Sequence, residues 1–343
     1  MSIFFHVRRD SDSDAGRLAW SITLVIVVAL VIANFAQQPL LGNDGEASGM
    51  QLPITLWVAS ADPSAEAQRV VQQAASRWDM PTRTASTEVL PGGSLQGVAS
   101  FLDRLRGDPR ELLVLSSSTL AEIAWARSQP PYSEASVRAH RVAGLLRSAP
   151  VIAVVAADPL LLAVPRDSPL RSLQGLSAAE EHSLALPFFS VAGDRFETSN
   201  LAALVERYGL SGRIPYSVAA SAHEAVVDTE FGRASVALAP RSEIGAELLA
   251  GRMRALPWPR GEGHPPESWI AILGPTGLSG AQVASLRAQA RRLYGSAAWE
   301  AVVRGDGLSP VSLGRAELSG FIAQSLARTS ALERAAARMM VEF

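Results

Sequence analysis

The chain has 343 residues, 48% of them hydrophobic, and a formal charge of −2; this describes a folded protein without the basic excess that nucleic acid or an anionic membrane surface demands. Cysteine is absent, so disulfides, thiolate nucleophiles, thiolate metal sites and lipid attachment through an N-terminal cysteine are excluded. All 31 basic residues are arginine, which also removes Schiff-base lysines and a P-loop lysine.

Residues 1–17 are polar and read as a cytoplasmic tail carrying Arg8, Arg9 and Arg17. Leu18 to Asn43 is a stretch of twenty-six residues without a charge, densest from Ile22 to Ile32. A helix crosses the hydrocarbon layer with about 20 apolar residues, so the run predicts one transmembrane helix over residues 18–40. A cleaved signal peptide, whose site Ala33 would end, has an apolar core of only about 7–15 residues. The run is too long for that, and the anchor is expected to be retained. Asp44 and Glu46 follow it, and the next basic residue is Arg69. The positive-inside rule therefore puts the N-terminus in the cytoplasm and the rest outside, giving a single-pass protein of the inner membrane with a periplasmic main domain. Residues 41–51 mix Gly, Asn, Asp, Glu and Ser without periodicity and read as a linker.

Residues 52–343 are enough for one large or two ordinary domains. Ile54 to Val58 is short, apolar and rich in β-branched and aromatic residues, a buried strand. Ser64 can cap a helix over Ala65 to Ala75, in which Val70, Val71, Ala74 and Ala75 share a face. Pro91-Gly92-Gly93-Ser94 precedes a helix from Leu95 to Arg106. Glu111 to Leu115 is another buried strand, running into Ser116-Ser117-Ser118-Thr119 and a further helix. This alternation is the α/β pattern with a mainly parallel sheet. Val151 to Val155 and Leu160 to Val164 read as two strands near a change of domain. Leu184 to Phe189 follows, then a loop from Ser190 to Thr198, a helix from Asn200 to Tyr208, a strand-like Ile214 to Ser217, a helix from His223 to Phe231 and a strand from Ser235 to Ala239. Beyond the proline-rich Leu256 to Pro266, Ser268 to Leu273 is a strand, and helices are predicted over Ser279–Tyr294, Ala297–Arg304 and Arg315–Met339.

No catalytic signature is present: there is no G-x-S-x-G elbow, no H-E-x-x-H, no Walker A sequence and no repeated acidic metal spacing. His6, His140, His182, His223 and His264 are scattered beside polar or turn residues and read as surface histidines. What recurs is a hydroxyl-rich junction between strand and helix: Ser60 with Ser64, Ser116 to Thr119, Ser190 with Thr198 and Ser199, and Ser217 with Ser221. Each alone is ordinary helix capping. Together they offer free backbone N–H groups, helix dipoles and short donors at the carboxyl ends of strands, which suits a carboxylate.

The order of these segments carries a resemblance. Ile54-Thr55-Leu56, Pro91-Gly92-Gly93 with Gly97, Leu113 to Thr119, Ile214 to Ser217, Ser268-Trp269 with Gly274-Pro275-Thr276-Gly277, and Gly305 to Pro310 resemble the periplasmic substrate-binding proteins of tripartite tricarboxylate transporters, over nearly all of Leu52 to Leu332. The resemblance implies a two-lobed, periplasmic-binding-protein-like (Venus flytrap) α/β architecture. Lobe 1 would take residues 52–157 and 261–343, and lobe 2 residues 158–260. It also implies a non-enzymatic protein without cofactor that closes on a small carboxylate. By position, the ligand would meet Ser60, Ser94, Ser117, Ser118, Ser190, Thr198 and Tyr216.

The sequence departs from that pattern in three loops. Ala59 to Ser64 lacks the family's glycine pair and is shorter, and Ser217 to Ala220 lacks its glycine-containing turn. Ala192 to Glu197 is bulkier and more charged, so that either Arg195 forks onto a ligand carboxylate or the cleft is partly filled, the plainer alternative being a surface Arg195 that pairs with Asp194 or Glu197. Two functions of different class follow. One is a tethered receptor capturing a small carboxylate for a transporter or sensor. The other is a ligand-free accessory subunit of a large membrane complex, photosynthetic or respiratory for example, that reuses the fold. The partners are accordingly transporter subunits or an integral membrane complex, and not nucleic acid. Protease added to intact spheroplasts is expected to digest residues 52–343 and spare the anchor; a mature N-terminus just after Ala33 would contradict this topology.

Overall fold

The structure is a computed structural model and describes residues 54–58, 85–89, 93–173, 188–193, 195–208, 215–258 and 266–341. The predicted tail, transmembrane helix, linker and first helix lie outside the described residues, as does Ser60. No helix among the described residues is long and apolar enough to cross a membrane.

Strand β4 (Val151–Pro165) is the longest strand, and two sets of partners divide it. Its first part, from Val151 to Pro159, pairs antiparallel with β9 (Glu267–Leu273), which in turn pairs with β3 (Glu111–Ser116). Beyond β3 lie the parallel strands β1 (Ile54–Val58) and β2 (Ala85–Val89), completing one half of a single nine-stranded sheet; this half with its covering helices is labelled lobe 1, and the half beyond Pro159 lobe 2. From Leu160 onward β4 pairs with β7 (Val236–Pro240) on one side and with β8 (Met253–Ala255) on the other. The parallel strands β5 (Phe189–Ala192) and β6 (Tyr216–Ala219) continue from β7 as the sheet of lobe 2.

Two separate strands were expected where β4 runs unbroken through Asp158 and Pro159. Proline has no ladder N–H, but Pro159 sits where pairing with β9 ends and pairing with β7 begins. Asp158 fastens the same point. Its buried carboxylate accepts from the backbone N–H of Ser242 at 3.2 Å and from the Ser242 hydroxyl at 2.5 Å. Helix α6 (Arg241–Leu249) has Pro240 at its N-cap with no side-chain cap of its own, so a carboxylate from β4 serves its positive end.

In lobe 1, alternate strand residues point to opposite faces, and helices cover both. Ile54, Leu56, Leu112 and Val114 face α7 (Gly280–Tyr294) and α8 (Ala297–Gly305), where Trp299 is buried and donates its indole N–H to the Val155 carbonyl at 2.9 Å. Leu113 and Leu115 face α1 (Gly93–Arg104), α2 (Ser117–Ser128), α3 (Glu134–Ser148) and the long C-terminal α9 (Arg315–Val341). Strands covered on both faces read as continuous apolar runs, as Leu112 to Leu115 does.

Lobe 2 packs β4, β5 and β7 against α4 (Arg195–Arg207) through Phe189, Val191, Phe196 and Leu201. On the other face, Val226 of α5 (Ala222–Glu230) and Ile244 of α6 cover Ala163 and Ala237. Two helices serve both cores. Helix α2 gives Leu120 and Ile123 to lobe 1 and Ala121 to lobe 2, while α9 gives Leu318, Ile322 and Leu326 to lobe 1 and Ala336 to lobe 2. Helix α2 is therefore buried on nearly every side, which explains why it has no apolar stripe.

Because Leu326 is completely buried within α9, Leu326→Ala should cost about 2–5 kcal/mol of stability. Chemical denaturation of the full chain checks this; a loss below ~1 kcal/mol would mean that α9 does not hold the core together.

Candidate functional site

The hydroxyl-rich junctions fall into two groups. At the end of β3, Ser116 is the N-cap of α2 and accepts from the Thr119 N–H at 3.2 Å, as capping alone requires. Ser117 is buried, 2% exposed, and its Oγ accepts from the Trp269 N–H of β9 at 3.3 Å. Only Ser118 of this run is predicted for the site and half-exposed. Ser94 stands in the first turn of α1, so its backbone is helical, where the sequence suggested a loop before the helix.

The second group lies around β5 and β6. Ser190 pairs in register with Ser217. It is fully buried, donates to Asp228 Oδ2 at 3.4 Å and accepts from the Ser217 hydroxyl at 3.4 Å. Strand β6 reaches Ala219, two residues past the predicted end at Ser217, and Gly193 N–H donates to the Ala219 carbonyl at 2.9 Å. Tyr216 is half-buried against the lobe 2 core.

Helix α4 begins at Arg195 and not at Asn200, so Arg195 and Thr198 stand in its first turn and not in a loop. The cause is tertiary. Phe196 is buried in the lobe 2 core, and Thr198 donates its hydroxyl to the Ala192 carbonyl at 3.3 Å, drawing the turn onto the end of β5. Asn200 donates to the Phe196 carbonyl at 2.7 Å, one helical turn back.

Arg195 lies where the lobes meet. Its guanidinium carbon sits 4.3 Å from the ring centroid of Trp125 on α2, within cation–π range. The sequence offered two states for this arginine, a ligand fork or an ion pair with Asp194 or Glu197. Glu197 is buried, 5% exposed, and Arg195 forms no ion pair with it; Asp194 lies outside the described residues. The contact holds the charge of Arg195 over the indole, and a guanidinium is the side chain that can take a carboxylate bidentately. Trp125 was not foreseen, since nothing in the sequence couples two residues so far apart.

Behind this junction α9 ties the lobes. Ser199 of α4 donates to Glu333 Oε1 at 2.5 Å in a buried pair, and Arg127 of α2 donates to Ser330 at 3.3 Å. Burial first, then the charge of Arg147, pulls the Arg127 pKa down from its ordinary value. Of the predicted residues, Arg195 and Thr198 stand just past the carboxyl end of β5, Ser190 lies within β5, Tyr216 is at the amino end of β6 opposite Phe189, and Ser117 and Ser118 are at the start of α2. Ser117 and Ser190 are internal supports.

This architecture, an α/β sheet whose long strand β4 serves both halves, is similar to that of solved periplasmic binding proteins. Within that class the similar solved structures are of the TctC type. A TctC solute-binding protein from Polaromonas is 17% identical, with a TM-score of 0.62 over 83% of this chain and 99% of that one. A Rhodopseudomonas palustris protein solved with adipate is 16% identical, with a TM-score of 0.59 over 84% and 99%. MatC from the same organism, solved with bound malate, is 16% identical, with a TM-score of 0.55 over 82% and 99%. At these identities the relationship is remote, and the likeness is one of fold. No protein-family model matches the sequence, and no curated protein matches it either.

The Ser199–Glu333 pair provides a test of the tie through α9. In a double-mutant cycle, Ser199→Ala and Glu333→Gln should couple by roughly 0.5–3 kcal/mol. Additive losses in thermal denaturation would mean that the two side chains do not act together.

Proposed function

We propose that this chain is a non-enzymatic, solute-binding-protein-type receptor, tethered to the inner membrane by its N-terminal helix, that captures a small carboxylate on the periplasmic side for a transporter or sensor. The observation that carries the reading is Arg195. A guanidinium held over the Trp125 ring, in the first turn of a helix and where two helices meet, is suited to a carboxylate. Thr198, Tyr216 and Ser118 are half-buried residues assigned to the same ligand, with Ser60 and Ser94 on the lobe 1 side. The adipate and malate held by proteins of this fold belong to the same chemical class. The lobe boundaries at residues 157/158 and 260/261 are part of this proposal.

A second reading has its own support. Ser117 and Ser190 are buried in internal hydrogen bonds, and α2 and α9 each enter both cores. A fold so tied suits a ligand-free subunit resting on a larger membrane complex. The tether favours neither reading, since it raises the local concentration of a neighbouring transporter and of a complex alike.

Thermal unfolding of the full chain in mild detergent, across a panel of mono- and dicarboxylates, separates the two. A true ligand at 100 times its Kd stabilises by about 2.7 kcal/mol, and Arg195→Gln should remove that shift. No shift with any member, together with co-elution in a fixed ratio with a membrane complex, would replace the receptor with the subunit.

A further inference from the structure

Away from the lobe junction, lobe 1 holds a cavity of about 70 Å³ between α7, the start of β4 and the segment leading into α9. Arg287, Arg291 and Tyr294 of α7 line it with Val154, Ser312 and Leu318. A water needs at least ~10–15 Å³ of such space, so the cavity has room for several waters or for one small oxyanion. Arg287 and Arg291 are one helical turn apart and share a face of α7. Arg287 is half-buried and held in place by donating its Nε–H to the Val151 carbonyl at 2.8 Å. A third guanidinium, Arg315 at the start of α9, stands near enough for its charge to add to burial in pulling the Arg287 pKa down.

Among the described residues no carboxylate forms an ion pair with Arg287, Arg291 or Arg315. This is unlike Arg110, Arg138, Arg141, Arg233 and Arg304, each of which has one, and Arg252, which has two. Basic residues in the last turn of a helix complement its dipole, which accounts for Arg291 and Arg292. It does not account for Arg287, two turns from the end and turned into a cavity. Like charges gathered without a counter-charge cost free energy, and a bound oxyanion offsets that cost.

We propose that this cavity is a second anion site, taking a single phosphate-sized oxyanion between the forks of Arg287 and Arg291, with Ser312 also in its lining. The oxyanion is either free inorganic phosphate or the phosphate of an anionic lipid headgroup. The site shares no residue with the Arg195 junction, so the two stand or fall separately.

Calorimetric titration of inorganic phosphate into the full chain, in mild detergent at low ionic strength, tests it. Saturable binding is expected, weakened roughly tenfold or more by Arg291→Gln, the loss of one charge-assisted hydrogen bond, and to a smaller extent by Arg315→Gln, which removes a neighbouring charge. Both side chains are exposed, so these variants keep the fold, and Arg195→Gln should leave phosphate binding unchanged. Repeating the titration in phosphatidylcholine vesicles with and without phosphatidylglycerol identifies the source. Competition by the anionic lipid assigns the site to a headgroup, and its absence assigns it to the free ion. No saturable binding, or equal affinity in wild type, Arg291→Gln and Arg315→Gln, overturns the proposal.

Discussion

The structure depends on the continuity of β4. One strand supplies the pairing edge for both sheets, and its changeover falls at Asp158-Pro159, where a backbone without a ladder N–H meets a carboxylate that caps α6. A break there would leave the lobes joined mainly through β9, the C-terminal segment and the side-chain packing of α2 and α9. The isolated bridge of Ala157 to Ser309, with backbone bonds of 2.9 and 2.7 Å, reinforces the same point from the chain entering α9.

Given that continuity, the positions of the helices follow from which faces remain to be covered. Helix α2 follows β3 beside the changeover and so meets both cores. Helix α9 then packs across α2 and α4, burying Leu326 in one lobe and Ala336 in the other. The ties at Ser199–Glu333 and Arg127–Ser330 lie on this layer. Arg195 is the chemical consequence: α4 starts where α2 passes, and a guanidinium at that start finds an indole beneath it.

Much of this was legible in the sequence. The strands Ile54 to Val58 and Glu111 to Leu115, and the helices after Ser279 and Ser296, announce themselves through apolar runs and serine caps, and Ser279 with Gln282 forms a full capping box. The single strand β4 was not legible, because Asp-Pro reads locally as a break and its rescue comes from Ser242, far along the chain. The start of α4 at Arg195 was hidden for a similar reason: Arg-Phe-Glu-Thr-Ser has modest helix propensity, and the burial of Phe196 decides it. Short elements such as β8 and α6 carry too little periodicity to be seen, whereas α3 had a signal in Ser133 that capping alone would have found. For the candidate site, the sequence named residues but not their surroundings. Spacing cannot say that Ser117 and Ser190 turn inward while Arg195 stacks on Trp125.

The central claim is that Arg195 is the carboxylate-binding group of a receptor. The most direct measurement is an experimental structure of the full chain with a saturating small dicarboxylate. The account predicts a ligand carboxylate within hydrogen-bonding distance of the Arg195 guanidinium, which remains stacked on Trp125, with Thr198 or Tyr216 on the same ligand. A junction without ligand, in which Arg195 is paired to a carboxylate of the protein itself, would contradict it.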